Sequence, residues 1–167
     1  SLLALTAASG AVAQTQSGDA LLDAMGLNHQ KAATQTHEDM APVEPLRGDT
    51  TYVMSAFNAT SENKLSIFTS YDGKTYTSLA SEVYTPQSGL LRDPSILRAR
   101  DGDYYVVYTT GWNGQSFGLA KSRDLRHWEH VRDVQLNLPG LANAKITNVW
   151  APEWFQDADG NVSVVVS

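Results

Sequence analysis

The residues best suited to chemistry lie in two short strings of similar form. Arg92-Asp93-Pro94-Ser95-Ile96 places a carboxylate directly before a proline, and Trp150-Ala151-Pro152-Glu153 places one directly after a proline. A carboxylate fixed at the start of a strand can take a proton from water or bind a hydroxyl group. The same Asp-Pro pair also opens ordinary turns, its side chain bonding the backbone two residues on. Arg92 is a neighbour that could keep Asp93 ionised, although successive strand residues point to opposite faces. Trp150, and Trp112 in the loop Gly111–Gln115, offer flat apolar faces to a ring-shaped ligand, whereas Trp154 reads as packing. His29, His37, His127 and His130 show no metal-ligating spacing, so no metal site is assigned.

Composition narrows the class of partner. The chain of 167 residues carries a formal charge of −6 and no cysteine. Without a basic stripe there is no surface for nucleic acid. A neutral, hydroxyl-rich ligand suits this balance better. The lack of cysteine is compatible with a domain large enough to hold itself by its own core.

These residues are positioned by short strands. From Thr51 onward, apolar and aromatic runs alternate with the turn signals Asp72-Gly73, Asp101-Gly102, Asn113-Gly114 and Asp159-Gly160. The expected strands are Tyr52–Phe57, Leu65–Thr69, Thr75–Ala80, Ser95–Ala99, Tyr104–Thr110, Phe117–Lys121, Trp128–Val134, Trp154–Gln156 and Val162–Val166. No segment among them sustains a helical period, and the fold class is all-β.

Two internal repeats organise the strands. Ser70-Tyr71-Asp72-Gly73-Lys74-Thr75-Tyr76 returns 52 residues later as Ser122-Arg123-Asp124-Leu125-Arg126-His127-Trp128, and Tyr52 is matched to Tyr105 with a one-residue gap. In the second repeat, Asp93–Leu97 lies 58 residues before Ala151–Phe155, as Asp101-Gly102 lies before Asp159-Gly160. A unit of about 50 to 60 residues holding four short strands is that of a β-propeller blade. The S-x-D-x-x-x-aromatic string reads as a scaffold turn, its polar side chains bonding local backbone while the aromatic packs between blades.

The ordered set Arg92-Asp93-Pro94-Ser95-Ile96, Asp103-Tyr104-Tyr105, Ala120–Trp128 and Val149-Trp150-Ala151-Pro152-Glu153 resembles glycoside hydrolase family 43. The resemblance implies a five-bladed β-propeller, of which this chain holds the first two to three blades. It also implies inverting hydrolysis of arabinose- or xylose-containing plant polysaccharides, the partner being an oligosaccharide or polysaccharide. Asp93 matches the general base. The general acid and the aspartate that tunes it belong to later blades and match nothing here, so the segment alone is expected to be inactive. Trp150, Glu153 and Trp112 are the candidate substrate contacts, with Glu153 equally open to a structural role. No cofactor is implied except a calcium ion that some members hold in the central channel, for which the sequence marks no ligands.

A partial repeat, Tyr52 to Ala80, precedes Asp93 and leaves two arrangements open. Either these strands complete the last blade and close the ring, or Asp93 opens a second one, where it would resemble the transition-state-stabilising aspartate of related invertase families. The competing functions are a fructan- or sucrose-active hydrolase and a carbohydrate-binding propeller without catalysis.

The ends complete the reading. Ser1–Ala13 is uncharged, with an apolar run and the A-x-A string Ala11-Val12-Ala13, and reads as the remnant of a signal peptide. A secreted or periplasmic protein without a membrane span is the corresponding expectation. Residues 14–48 are polar and read as a linker or arm, with a short helix conceivable over Asp19–Leu27. Residues 49–167 form the N-terminal part of the propeller domain, cut within a strand. The sequons at Asn58 and Asn161 are taken as chance.

Overall fold

The computed structural model describes residues 51–137 and 145–167, together with the backbone of Leu3–Ala4. The expected leader, linker and short helix otherwise lie outside the described residues. Ten strands are present among the described residues: β1 (Leu3–Ala4), β2 (Tyr52–Phe57), β3 (Leu65–Ser70), β4 (Thr77–Tyr84), β5 (Arg92–Arg98), β6 (Tyr104–Thr109), β7 (Ser116–Ser122), β8 (Trp128–Gln135), β9 (Glu153–Gln156) and β10 (Val162–Val166). They form three antiparallel sheets in the orders β2-β3-β4, β5-β6-β7-β8 and β1-β10-β9. The inner edges β2, β5 and β9 lie beside one another in succession, and outer β4 approaches β8, as in neighbouring blades.

The central blade owes its place to β6. Tyr104-Tyr105-Val106-Val107-Tyr108-Thr109 has no polar alternation, because both its faces are buried. Val106 and Tyr108 join Leu65, Ile67, Tyr84, Leu91, Ala120 and Leu125 on the side of the first sheet. Tyr105 and Val107 join Phe117, Leu119, Leu136, Val149, Val164 and Val166 on the side of the third, with Trp154 packed against them. The blades are thus glued by two apolar layers that share one strand.

Both repeats are structural. In the first turn Ser70 Oγ accepts from the N–H groups of Asp72 (3.3 Å) and Gly73 (2.9 Å), while Asp72 Oδ1 accepts from those of Lys74 and Thr75, each at 2.8 Å. The second turn repeats every bond: Ser122 Oγ serves Asp124 and Leu125, and Asp124 Oδ1 serves Arg126 and His127. Gly73 and Leu125 hold the same left-handed conformation, φ 68° and 66°. Leu125 accepts that cost because its side chain is buried, and its carbonyl accepts from Trp128 Nε1 (3.1 Å).

The ladders correct the sequence alignment of the first repeat. Tyr52 pairs with Ser70 as Tyr104 pairs with Ser122, so the shift is 52 without a gap, and Tyr52 corresponds to Tyr104 rather than Tyr105. It follows that β2-β3-β4 match β6-β7-β8, the outer three strands of a blade. Asp93 therefore opens the innermost strand of the first four-stranded blade among the described residues, which the three-stranded sheet β2-β3-β4 precedes. Two strand limits also move by three residues or more. The fourth strand runs to Tyr84 instead of Ala80 across a register shift, and β5 begins at Arg92 instead of Ser95.

This packing generates two stability predictions. Gly118 pairs with Tyr108, and a Cβ there would stand 2.2 Å from the Tyr108 ring, which is fully buried and bonded to the Tyr84 hydroxyl (3.1 Å). Gly118→Ala in the full-length protein should cost about 1–3 kcal/mol by chemical denaturation, and an unchanged midpoint would refute this packing. In the second turn, burial alone would raise the Asp124 carboxyl, but bonds from the His127 ring, the His127 and Arg126 N–H groups and Ser122 outweigh it and bring it to about 2. A carboxyl lowered in the folded state contributes stability above its ordinary value and loses it as pH falls toward the folded value. The parent should therefore lose more stability than Asp124→Asn between about pH 4 and pH 2. Identical pH curves would remove Asp124 from the acid response.

Candidate functional site

Asp93 is placed by a break in the ladder. Arg92 pairs with Thr109 and Ser95 with Val107, so Asp93 and Pro94 form a bulge on the edge strand β5. Proline cannot donate to a ladder and is tolerated at such a place, and a bulge re-aims the side chain that it carries. Asp93 adopts φ 49° there, a left-handed conformation that aspartate tolerates better than most residues. Its neighbour Arg92 points elsewhere, as strand alternation suggests.

The carboxylate is held by Thr109, a residue that no sequence pattern singles out. Thr109 is 3% exposed at the end of β6. Its Oγ1 accepts from the Ala151 N–H at 2.9 Å and donates to Asp93 Oδ2 at 3.1 Å. A hydroxyl has one proton, and an ionised carboxylate can only accept, so the direction of both bonds is fixed. The signal in the sequence is slight: Thr109 is the polar end of an otherwise apolar strand and the ladder partner of Arg92.

The sheet β1-β10-β9 repeats the geometry with different chemistry. Trp150 and Ser167 exchange two backbone bonds, 2.9 and 3.0 Å, where Arg92 and Thr109 pair in the sheet β5-β6-β7-β8. Glu153 pairs with Val165 as Ser95 pairs with Val107. Ala151, with φ 45°, therefore occupies the place of Asp93, and buried Pro152 that of Pro94. The left-handed bulge belongs to the scaffold, whereas the carboxylate belongs to one copy of it.

Beside the carboxylate stands an aromatic corner. Trp112 and Trp150 meet edge to face with ring centres 6.2 Å apart, and Trp150 Nε1 donates to the Trp112 carbonyl at 3.2 Å. Both rings are exposed, Trp112 at 55% and Trp150 at 39%. The Arg92 guanidinium lies 4.4 Å from the Trp112 ring centre and 5.4 Å from that of Phe57, and pairs with Glu62 at 3.3 Å. Glu62 lies in a polar loop whose sequence carries no mark of this role. Trp150 directly precedes Ala151, so the corner and Asp93 share one end of the inner strands. Glu153 sits two residues beyond Ala151, exposed on β9 and outside the chain of bonds joining Asp93 to Trp150. Trp154 packs into the core, and its N–H donates to Ser95 Oγ at 3.1 Å. Among the described residues there is no group of three or more His, Cys, Asp or Glu side chains that could hold a metal ion.

Residues 83–166 match the family described as Glycosyl hydrolases family 43. No curated protein matches the chain. Among solved structures, it is similar to a protein named as an exo-beta-1,3-galactanase from Bifidobacterium bifidum s17, with 14% identity and a TM-score of 0.54, over 72% of this chain and 42% of that one. It is also similar to the native arabinanase Arb43A of Bacillus subtilis, with 22% identity and a TM-score of 0.46, over 70% of this chain and 44% of that one. The chain spans less than half the length of either structure. The fold is that of a five-bladed β-propeller, of which the described sheets are successive blades. The matched span begins at Val83, ahead of Asp93, and leaves nearly all of the first sheet outside it.

Thr109→Val would leave the Ala151 N–H without its acceptor and Asp93 without its donor. In the full-length protein it should cost about 1–3 kcal/mol, and Thr109→Ser, which keeps the hydroxyl, less than half of that. Equal losses for the two variants would mean that the methyl group, not the hydroxyl, matters.

Proposed function

Since the chain belongs to the glycosyl hydrolases of family 43, we propose that its protein cleaves glycosidic bonds in arabinose- or xylose-containing polysaccharides or oligosaccharides, with Asp93 as the general base of an inverting reaction. The observation that supports this most is the contrast between two equivalent bulges. The backbone is the same at Asp93 and Ala151, yet only one carries a carboxylate, and the residue that holds Ala151 in place directs its single proton to that carboxylate.

In this reading Thr109 fixes Asp93 Oδ2, and Oδ1 takes a proton from a water molecule. The water oxygen forms a bond to the anomeric carbon while the bond to the leaving oxygen breaks. A carboxylic acid on the opposite side of the sugar gives its proton to that oxygen. Inversion needs the two carboxyl groups about 6.5–9.5 Å apart, so that water fits behind the ring. No described residue matches the acid or the aspartate that tunes it, and separate blades converging on one axis can supply that spacing. Trp112 and Trp150 offer apolar faces to sugar rings beside the base. Export to the periplasm or the medium is part of the same proposal, in keeping with a polymeric substrate.

The test is hydrolysis by the full-length protein of arabino-, xylo- and β-1,3-galacto-oligosaccharides, with Asp93→Asn alongside. Loss of about a thousandfold in kcat with binding retained is the expected result. Near-parental activity of Asp93→Asn would overturn the assignment. Cleavage of the galacto-oligosaccharide alone would move the substrate class, and binding without cleavage by the parent would favour a carbohydrate-binding propeller.

A further inference from the structure

The exposed face of Trp112 is prepared from behind. Arg92 is anchored on the strand that carries Asp93, and its guanidinium is held between the Glu62 carboxylate (3.3 Å) and the Trp112 ring (4.4 Å to the centre). Glu62 is itself set by its backbone. Its N–H donates to the Asn58 carbonyl (2.7 Å), and its carbonyl accepts from the Leu91 N–H (2.7 Å), with φ at 54°. The ring is also held by Trp150, through the perpendicular ring contact and the bond to the Trp112 carbonyl. A tryptophan that is 55% exposed in a loop would otherwise be free to change rotamer. Here a cation lies over one face and an indole stands perpendicular beside the ring, while more than half of the residue stays open to solvent. The Arg92 Nε atom is buried and has no partner, a cost that a purely structural role would remove by placing methionine there.

We propose that Arg92 is a positioning residue that, braced by Glu62, locks Trp112 as a stacking platform for the sugar unit beside the one attacked at Asp93. Three loops from three blades thereby build one subsite. Glu62 offsets the charge of Arg92, so the platform is electrically neutral overall and suits an uncharged ring. An arginine is required for the geometry, since a planar guanidinium stacks on an indole where an ammonium does not. The inference rests on the hydrolase reading above and specifies how that site holds its substrate.

The experiment is a double-mutant cycle between Arg92 and Trp112 in the full-length protein, using the oligosaccharide that the parent cleaves. Arg92→Met should raise KM about five- to tenfold, the size of a lost cation–π contact, with kcat changed less than about threefold. In a Trp112→Ala background the same substitution should have no further effect, because the ring it positions is gone. Arg92→Lys should fall nearer to Met than to the parent, and Glu62→Gln should raise KM in the same direction by a smaller factor. Fully additive effects of Arg92→Met and Trp112→Ala, a loss confined to kcat, or full rescue by lysine would each overturn the proposal. Thermal midpoints of the variants separate these effects from unfolding. If the parent cleaves none of the sugars, the hydrolase reading and this inference fall together; if it cleaves one and Asp93 is essential, the cycle alone decides the role of Arg92.

Discussion

One hydroxyl joins the parts of this structure that matter for chemistry. Thr109 ends the strand buried on both faces and is itself buried. From there it accepts the N–H of Ala151, where the chain enters the next blade, and donates to Asp93, where the chain enters its own. Asp93 and Ala151 both sit in left-handed bulges that standard ladder bonds cannot satisfy. Without this bridge the Ala151 N–H would lose its acceptor and the Asp93 carboxylate its donor. The apolar layers determine where the blades stand, and this hydroxyl determines how their inner ends face one another.

The blade architecture explains why such a bridge is possible. A sheet whose central strand is apolar on both sides must have a neighbour on each side, and Tyr105 and Val107 contact one neighbour as Val106 and Tyr108 contact the other. Consecutive inner strands then approach closely enough for single side chains to join them. Ser55 Oγ donates to the Pro94 carbonyl at 2.7 Å, and Ser95 Oγ accepts from Trp154 at 3.1 Å. These small hydroxyl residues leave the strand ends close together, where side chains from different blades can converge.

Much of this could be read from the residues, and the remainder was hidden for identifiable reasons. The all-β class, the blade-sized repeats and the S-x-D turn depend on local patterns, and the turn forms in both copies with the same four backbone bonds. The start of β5 was not readable, because Pro94 suggests a break where the ladder instead passes through a bulge. The alignment of Tyr52 with Tyr105 was one residue off, since side-chain similarity between adjacent tyrosines could not decide what the ladder decides. Trp112 and Trp150 were identifiable as exposed aromatics, but their contact spans 38 residues and two loops, which no local pattern encodes. Thr109 and Glu62 act only through partners brought near by the fold. Glu153, chosen for its motif, lies on the inner strand but apart from the bonded chain around Asp93.

The repeat also serves as an internal control on what is scaffold and what is site. Where two blades share backbone geometry, residues that differ between them at equivalent positions are not required by the geometry. By that criterion the bulge, the proline and the ladder pair behind it are structural, since they recur at Ala151, Pro152 and Ser167. The carboxylate of Asp93 and the guanidinium of Arg92 are not, since their counterparts are a methyl group and an indole. Arg92 and its counterpart Trp150 then meet on the same ring, Trp112, one over its face and one perpendicular to it. A loop residue held by equivalent positions of two successive blades lies across the seam between them. Chemistry that distinguishes one blade from the next therefore lies at that seam, next to a carboxylate that the bulge does not need.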